Sequence, residues 1–231
     1  MGFIVIEGLD GSGKSTQVNL LLDYLKKKEI RHRYIHFPRL DTGIYGDLIA
    51  RFLRGELGKL EDVHPYLVSV LYAGDRKEAN EKLNTWILEK NIVIVDRYVC
   101  SNIAYQGAKL ETEEERKEFA DWIMNFEYRY NKILKPDLNI FLDVPFKFTK
   151  EKLTENRDGS ERNYLKGKKD IHEANLEFQQ KVKEMYLWQA NNYADFEIIN
   201  CKGNDNEMLT PDEIFEKILK TIKFIPELKN L

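Results

Sequence analysis

The chain has only two cysteines, Cys100 and Cys201, in 231 residues, too few for a disulfide framework or a thiolate-based zinc site. Its four histidines, His32, His36, His64 and His172, show no metal-ligand spacing, and ordinary packing or surface roles are expected for all of them. It also lacks a charge of one sign. With 36 basic against 39 acidic residues the net charge is −3, which leaves no electrostatic footprint for DNA or RNA. No apolar run approaches the ~20 residues of a membrane span, and no charged region precedes the first apolar run as a secretory signal requires. Linkers, internal repeats and low-complexity tracts are missing as well. These absences point to a cytoplasmic protein with neither a nucleic-acid nor a membrane partner. Hydrophobic residues at 42% and charged residues at 32% are ordinary for a globular chain. A single domain over residues 1–231, able to bury a substantial core, is the simplest account.

What is present begins at Gly8 with GLDGSGKST. Gly8, Gly13, Lys14 and Ser15 satisfy G-x-x-x-x-G-K-[ST], the phosphate-binding loop. Phe3-Ile4-Val5-Ile6 before it reads as a parallel strand buried on both faces. Val18, Leu21, Leu22 and Leu25 after it recur at helical spacing. Glycines let the backbone amides curl around phosphate oxygens, and the helix N-terminus adds positive potential. The loop from Gly8 through Leu9, Asp10, Gly11, Ser12, Gly13, Lys14 and Ser15 to Thr16 is therefore expected to bind ATP. Lys14 is expected to reach the β- and γ-phosphates, and the Ser15 hydroxyl to ligate Mg2+.

Strand-like runs recur at 3–6, 34–37, 92–95, 138–142 and 196–199, separated by helical patterns around 14–28, 66–89, 112–130, 146–156, 172–193 and 211–223. Alternation of this kind predicts a parallel sheet covered by helices on both faces. Thr210-Pro211-Asp212-Glu213 reads as a helix start, with an N-cap, Pro at the first position and acids in the first turn. The segment 157–169, with Arg157, Arg162, Lys166, Lys168 and Lys169 but little apolar content, is either a solvated charged loop or a mobile lid over about 157–171 that brings cations to a transferring group.

Three further places carry chemistry. Asp96 ends the run Ile92-Val93-Ile94-Val95. Such an acid either caps the following helix or holds Mg2+ through water. Arg97 beside it, and Arg39 in Phe37-Pro38-Arg39, stand at strand ends where a guanidinium can grip a phosphate. Tyr72 and Arg76 are four residues apart on a predicted helix and so share a face. From the residues alone, core packing and a salt bridge explain them more readily than stacking on a base and reading its edge.

Together with Leu71-Tyr72-Ala73-Gly74-Asp75-Arg76, Asp96-Arg97-Tyr98 and Ser101-Asn102 to Tyr105-Gln106-Gly107, these pieces resemble thymidylate kinases in order and spacing. The likeness runs from Phe3 to about Glu173. It implies an α/β P-loop NTPase fold, three layers with a five-stranded parallel sheet and a mobile lid. The activity implied is transfer of a phosphoryl group from ATP, with Mg2+, to dTMP. By motif, Tyr72 stands where an aromatic ring stacks on thymine, and Arg76 matches the reader of thymine O4. Asn102 matches a polar residue near N3, while Ser101 and Phe37 lie in the same acceptor motifs. Tyr105 matches the ring that crowds the sugar 2′ position, Arg97 and Arg39 the arginines near the acceptor phosphate, and Asp10 the acid that reaches the 3′-hydroxyl. The resemblance also suggests a homodimer.

A phosphate monoester has a second pKa of about 6 and is already a dianion at neutral pH, so no general base is required. Catalysis then rests on holding two anions in line with Lys14, Mg2+, Arg97 and lid cations. Gly11 and Ser12 stand where some family members carry a P-loop arginine, so Arg157 and Arg162 are expected to act on ATP. Which of them faces the γ-phosphate stays open. The nearest alternative is a deoxynucleoside kinase, which phosphorylates a hydroxyl and needs a carboxylate base such as Glu7. A nucleotide-dependent switch is the other; the chain's Asn131-Lys132 pair does not continue as N-K-x-D.

Overall fold

A strand with no polar side needs cover on both faces, and β1 (Phe3–Glu7) is buried at all five positions. β3 (Ile92–Asp96) and β4 (Leu138–Asp143) flank it and are buried throughout. β2 (His32–His36) and β5 (Phe196–Asn200) form the partly buried edges. All pairings are parallel, in the order β2-β3-β1-β4-β5. The structure, a computed structural model, describes residues 2–154, 160–168 and 170–223, with the backbone alone for 160–162.

Alternation along β1 decides which helix layer each side chain joins. Phe3 and Val5 enter one core with Phe52 of α2 (Gly43–Leu53), Leu83 of α3 (Pro65–Leu88) and Ile103 of α4 (Val99–Gly107). Phe119 of α5 (Glu113–Met124) and Val182 of α7 (Leu176–Asn192) complete that layer. Ile4 and Ile6 enter the opposite core with Leu21 of α1 (Lys14–Lys27) and Ile218 of α8 (Pro211–Ile222). Each of these fully buried side chains contributes roughly 1.5–3 kcal/mol. The result is the expected three-layer α/β/α arrangement. β1 lies between two neighbours reached by opposite connections, so the crevice at its carboxyl end is where a ligand sits in such sheets.

Differences from the sequence pattern have local causes. α2 was not expected because Gly43 and Gly46 dilute its helical signal and no side chain caps its start. α4 escaped because eight of its nine residues are buried, so it has no polar face to set a period. The expected continuous helix over 112–130 is α5 followed by a π-helical turn, Asn125–Tyr130. The second strand ends at His36, one residue early, and α7 begins at Leu176 rather than at 172. α6 (Phe146–Thr154) is followed by residues 155–159, outside the described part, and then by a 3-10 helix, Ser160–Leu165. Arg157 and Lys169, both within the expected lid, lie outside the described residues; for Arg162 only the backbone is described. At Thr210 the expected helix start is present in full. Its hydroxyl accepts from the Glu213 amide, the Glu213 side chain accepts in return, and Pro211 occupies the first turn.

Candidate active site

The P-loop leaves β1 and turns into α1 through Gly13, whose φ of +81° is left-handed. A side chain there would be strained. At Gly8 a Cβ would lie 2.6 Å from Ser12 Oγ, so the loop closes only around a glycine. No side chain caps α1, which leaves its first amides free to meet an anion. Lys14 curls back, its Nζ donating to the Leu9 carbonyl at 2.9 Å. Burial and the neighbouring Arg97 cation push the ammonium down to about 8. Leu9 itself is 1% exposed, so its side chain belongs to the core and only its backbone faces the loop. Ser12 is buried, and Ser15 and Thr16 are exposed at the helix start.

From this loop an open cavity of ≈ 230 Å³ runs across the carboxyl ends of β1, β3 and β2. At its centre stands Arg97, held with φ +66°, a left-handed conformation that costs a non-glycine residue roughly 1–3 kcal/mol. Its amide donates to the Ile6 carbonyl at 3.0 Å. Its guanidinium donates to Asp10 Oδ1 at 2.7 Å, Tyr105 Oη at 3.0 Å and Ser101 Oγ at 3.2 Å. The Asp10 carboxylate also accepts from Tyr105 Oη at 2.8 Å and Gln179 Nε2 at 2.9 Å. Burial raises the Asp10 pKa, but Arg97 and Lys14 outweigh it and the net shift is downward, so Asp10 stays ionised.

Glu7 explains why the turn holds. Helix α4 has no side-chain cap of its own. Glu7, 0% exposed, reaches from β1 to accept the Tyr98 and Ser101 amides at 3.0 and 3.2 Å, together with the Ser101 hydroxyl at 2.5 Å and the Tyr186 hydroxyl at 2.9 Å. Burial raises its pKa against the pull of Ser101 and Arg97. With both oxygens occupied inside the protein, Glu7 caps a helix and faces no acceptor hydroxyl.

The far end of the cavity carries Tyr72, Arg76 and Asn102. Arg76 is 2% exposed, and Nε and Nη2 both donate to Glu127 Oε1, with Nη1 3.3 Å from the Tyr98 carbonyl. Burial would lower the guanidinium, yet Glu127 reverses the direction and its pKa is raised. Asn102 Nδ2 donates to the Ser69 carbonyl at 3.2 Å, so its Oδ1 is directed elsewhere and, though buried, has no partner among the described residues. The near rim carries Asp96, whose Oδ2 is 3.3 Å from His36 Nδ1 and whose buried Oδ1 also has no partner among the described residues.

A family model described as thymidylate kinase matches residues 6–210. The thymidylate kinase of Plasmodium falciparum is 31% identical over 184 residues, 80% of this chain and 75% of that relative. A probable thymidylate kinase of Methanococcus aeolicus is 31% identical across 95% of each chain. The chain belongs to the thymidylate kinase family. A solved structure of a thymidylate kinase from Candida albicans aligns with a TM-score of 0.70 over 97% of this chain and 92% of that one; at 24% identity it bears on the fold alone. Family membership makes the chain a nucleoside monophosphate kinase, a phosphotransferase that uses ATP as donor. Nothing in the comparisons favours the deoxynucleoside kinase alternative, and the occupied Glu7 carboxylate agrees.

Of the residues singled out from sequence, Asp10, Gly11, Lys14 and Ser15 line the cavity at one end, and Tyr72, Arg76 and Asn102 at the other. Phe37, Asp96, Arg97, Ser101 and Tyr105 lie between. Arg39 stands outside the lining. Its guanidinium donates to Asp75 Oδ1 at 2.8 Å and Glu78 Oε2 at 3.3 Å, and its amide to Asp75 Oδ2 at 2.9 Å. Two of the histidines expected to pack or lie at the surface also border the cavity: His36, half-exposed beside Asp96, and His172, whose buried ring packs against Tyr105 at 5.1 Å. Burial, then Lys109, lowers the His172 pKa to about 3, so it packs as a neutral ring. Sequence reasoning placed Gln106 within a motif but gave it no role; it is a fully buried cavity residue with neither end of its amide paired among the described residues. Sequence reasoning missed Asp170, which accepts from Tyr164 Oη at 2.8 Å. Burial and Asp10 push the Asp170 carboxyl up to about 7.

Proposed function

We propose that the chain phosphorylates dTMP to dTDP with ATP and Mg2+, supplying nucleotide synthesis in the cytoplasm. The observation that carries this reading is the base end of the cavity. Arg76 offers N–H donors, Asn102 offers a buried acceptor oxygen with no partner among the described residues, and Tyr72 offers an aromatic face. A donor beside an acceptor complements O4 and N3–H of thymine, whereas a 4-amino pyrimidine presents the reverse pattern.

ATP would lie along Gly8 to Thr16, its phosphates on the α1 amides, with Lys14 exchanging the Leu9 carbonyl for phosphate oxygens. Ser15 and Oδ1 of Asp96, which has no partner among the described residues, suit Mg2+, which takes few protein ligands and keeps substrate phosphates and water. No group of three or more acidic, His or Cys side chains forms a metal site of its own among the described residues, in keeping with that mode. When bound, the ion neutralises charge on the transferring phosphoryl group. On the acceptor side Arg97 would meet the dTMP phosphate, with Ser101 and Phe37 beside it. Arg39 would keep Asp75 and exchange its longer contact with Glu78. Tyr105 would close the sugar 2′ side and Asp10 would hold the 3′-hydroxyl. Arg157 and Arg162 would supply the lid cations over ATP. The homodimer suggested by the resemblance has an apolar surface available where Leu67 and Val70 of α3 are exposed.

The test is ADP release across a panel of nucleoside monophosphates, with thymidine included. Turnover is expected with dTMP and not with thymidine. Turnover with thymidine alone would remove the reading.

A further inference from the structure

An acidic side chain in the middle of an apolar helical stripe is costly unless something holds it. Phe119, Ala120 and Ile123 of α5 are fully buried, and the same face continues to Glu127, 0% exposed, on the π-helical turn. Turns of this kind are frequent at functional sites. Glu127 is spent on Arg76 alone: one oxygen takes both Nε and Nη2, and the other has no partner among the described residues. The chain then grips the turn's exit from α3, the helix that carries Arg76. Lys77 Nζ donates to the Asn131 carbonyl at 2.6 Å, and Asn80 bonds the Lys132 carbonyl and the Leu134 amide at 3.3 and 3.0 Å.

A guanidinium has five N–H donors. Three are committed, two to Glu127 and one to the Tyr98 carbonyl. The remaining two are not taken up by those partners, and Arg76 lines the cavity. Fixing the plane of the ring of donors fixes which hydrogens reach a ligand. Arg76 has no acceptor atom to offer in any orientation, and the Ser69 carbonyl holds the Asn102 amide the same way round.

We propose that Glu127 is a positioning residue for base recognition, orienting Arg76 so that the cavity accepts a 4-oxo pyrimidine and rejects a 4-amino one. This rests on the functional reading above. Glu127 touches no substrate; it acts through Arg76.

The test compares wild type with Glu127→Gln in the full chain, reading KM and kcat for dTMP, KM for ATP, the preference for dTMP over dCMP, and the melting temperature. Gln keeps the shape and an acceptor oxygen but loses the charge that strengthens the bonds to Arg76. The expected result is a rise of about tenfold in KM for dTMP, as for one weakened charge-assisted hydrogen bond. The dTMP preference should fall by a similar factor, with KM for ATP unchanged and kcat within about twofold. A lower melting temperature with unaltered KM and preference overturns the proposal, because a merely structural acid behaves that way. Should Glu127→Gln fail to fold, Glu127→Asp keeps the charge but shortens the reach to Arg76. That variant is expected to keep its KM for ATP while its KM for dTMP rises and its dTMP preference falls; unaltered KM and preference overturn the proposal. Wild type that ignores dTMP sinks the functional reading as well, whereas wild type that uses dTMP beside an indifferent Glu127→Gln sinks this inference alone.

Discussion

The two ends of the cavity are built differently. Three arginines on the side proposed for the acceptor are each held by a carboxylate of the protein: Arg97, midway along the cavity, by Asp10 at 2.7 Å, Arg39, just outside the lining, by Asp75 at 2.8 Å, and Arg76, at the far end, by buried Glu127. On the side proposed for ATP, Lys14 is held by one backbone carbonyl at 2.9 Å. The end proposed for the acceptor is therefore organised before any ligand arrives, and a cation there would act from a fixed position. At the donor end the lysine can change partners at the cost of one hydrogen bond. A kinase that must choose its acceptor, yet admits a flexible triphosphate tail, gains specificity from the first arrangement and adaptability from the second.

Substitutions at the two ends should separate along that line. The largest effect is expected at Lys14. Lys14→Ala should lower kcat by about 10²–10³, by analogy with loss of one transition-state donor, with KM for dTMP little changed. Arg157→Ala and Arg162→Ala, singly and together, should reduce kcat by about 10² at most and leave dTMP binding intact. An unchanged kcat in all three variants removes the lid assignment. Tyr105→Phe comes next. It deletes hydrogen bonds to both Arg97 and Asp10 and should raise KM for dTMP about tenfold while sparing ATP. If KM for ATP rises equally, the division into two ends is wrong.

The smallest effect concerns pH. Asp170 faces Tyr164, Asp10, Glu173 and the His172 amide, and burial followed by Asp10 raises its pKa from 3.8 to about 7. The folded chain then retains a proton that the unfolded chain releases. The resulting stabilisation is complete below pH 3.8 and is lost as pH rises through about 7. Melting temperatures of wild type and Asp170→Asn, measured from pH 5 to about 8, should diverge in slope, with the wild type falling more steeply. Parallel curves would show that Asp170 does not titrate in this window.

How much was legible in the sequence follows from how far apart the partners lie. The P-loop is local: its glycines, lysine and serine sit within eight residues, and their spacing carries the chemistry. The central strands announce themselves as unbroken β-branched runs, and Thr210 with Glu213 forms its capping box over three residues. Tyr72 and Arg76 are readable as a pair because a helix repeats every ~3.6 residues. By contrast Gln179 meets Asp10 across 169 residues and Tyr186 meets Glu7 across 179, and no periodicity encodes such a pairing. Glu127 left a trace that could have been read, an acid four residues beyond Ile123 on an apolar stripe. Gln106 was visible only as part of the Tyr105-Gln106-Gly107 motif, since α4 is buried nearly all round and no periodicity marks out its side chain.

The central claim is that the acceptor phosphate arrives as a dianion and is met by fixed cations, with no carboxylate taking a proton from it. The pH dependence of kcat/KM tests this most directly, measured with dTMP and with a phosphate analogue whose second pKa is lower. The account expects the acidic limb to follow the acceptor, near pH 6 for dTMP and displaced downward for the analogue. A limb that stays in place for both acceptors and disappears in folded Glu7→Gln would contradict it.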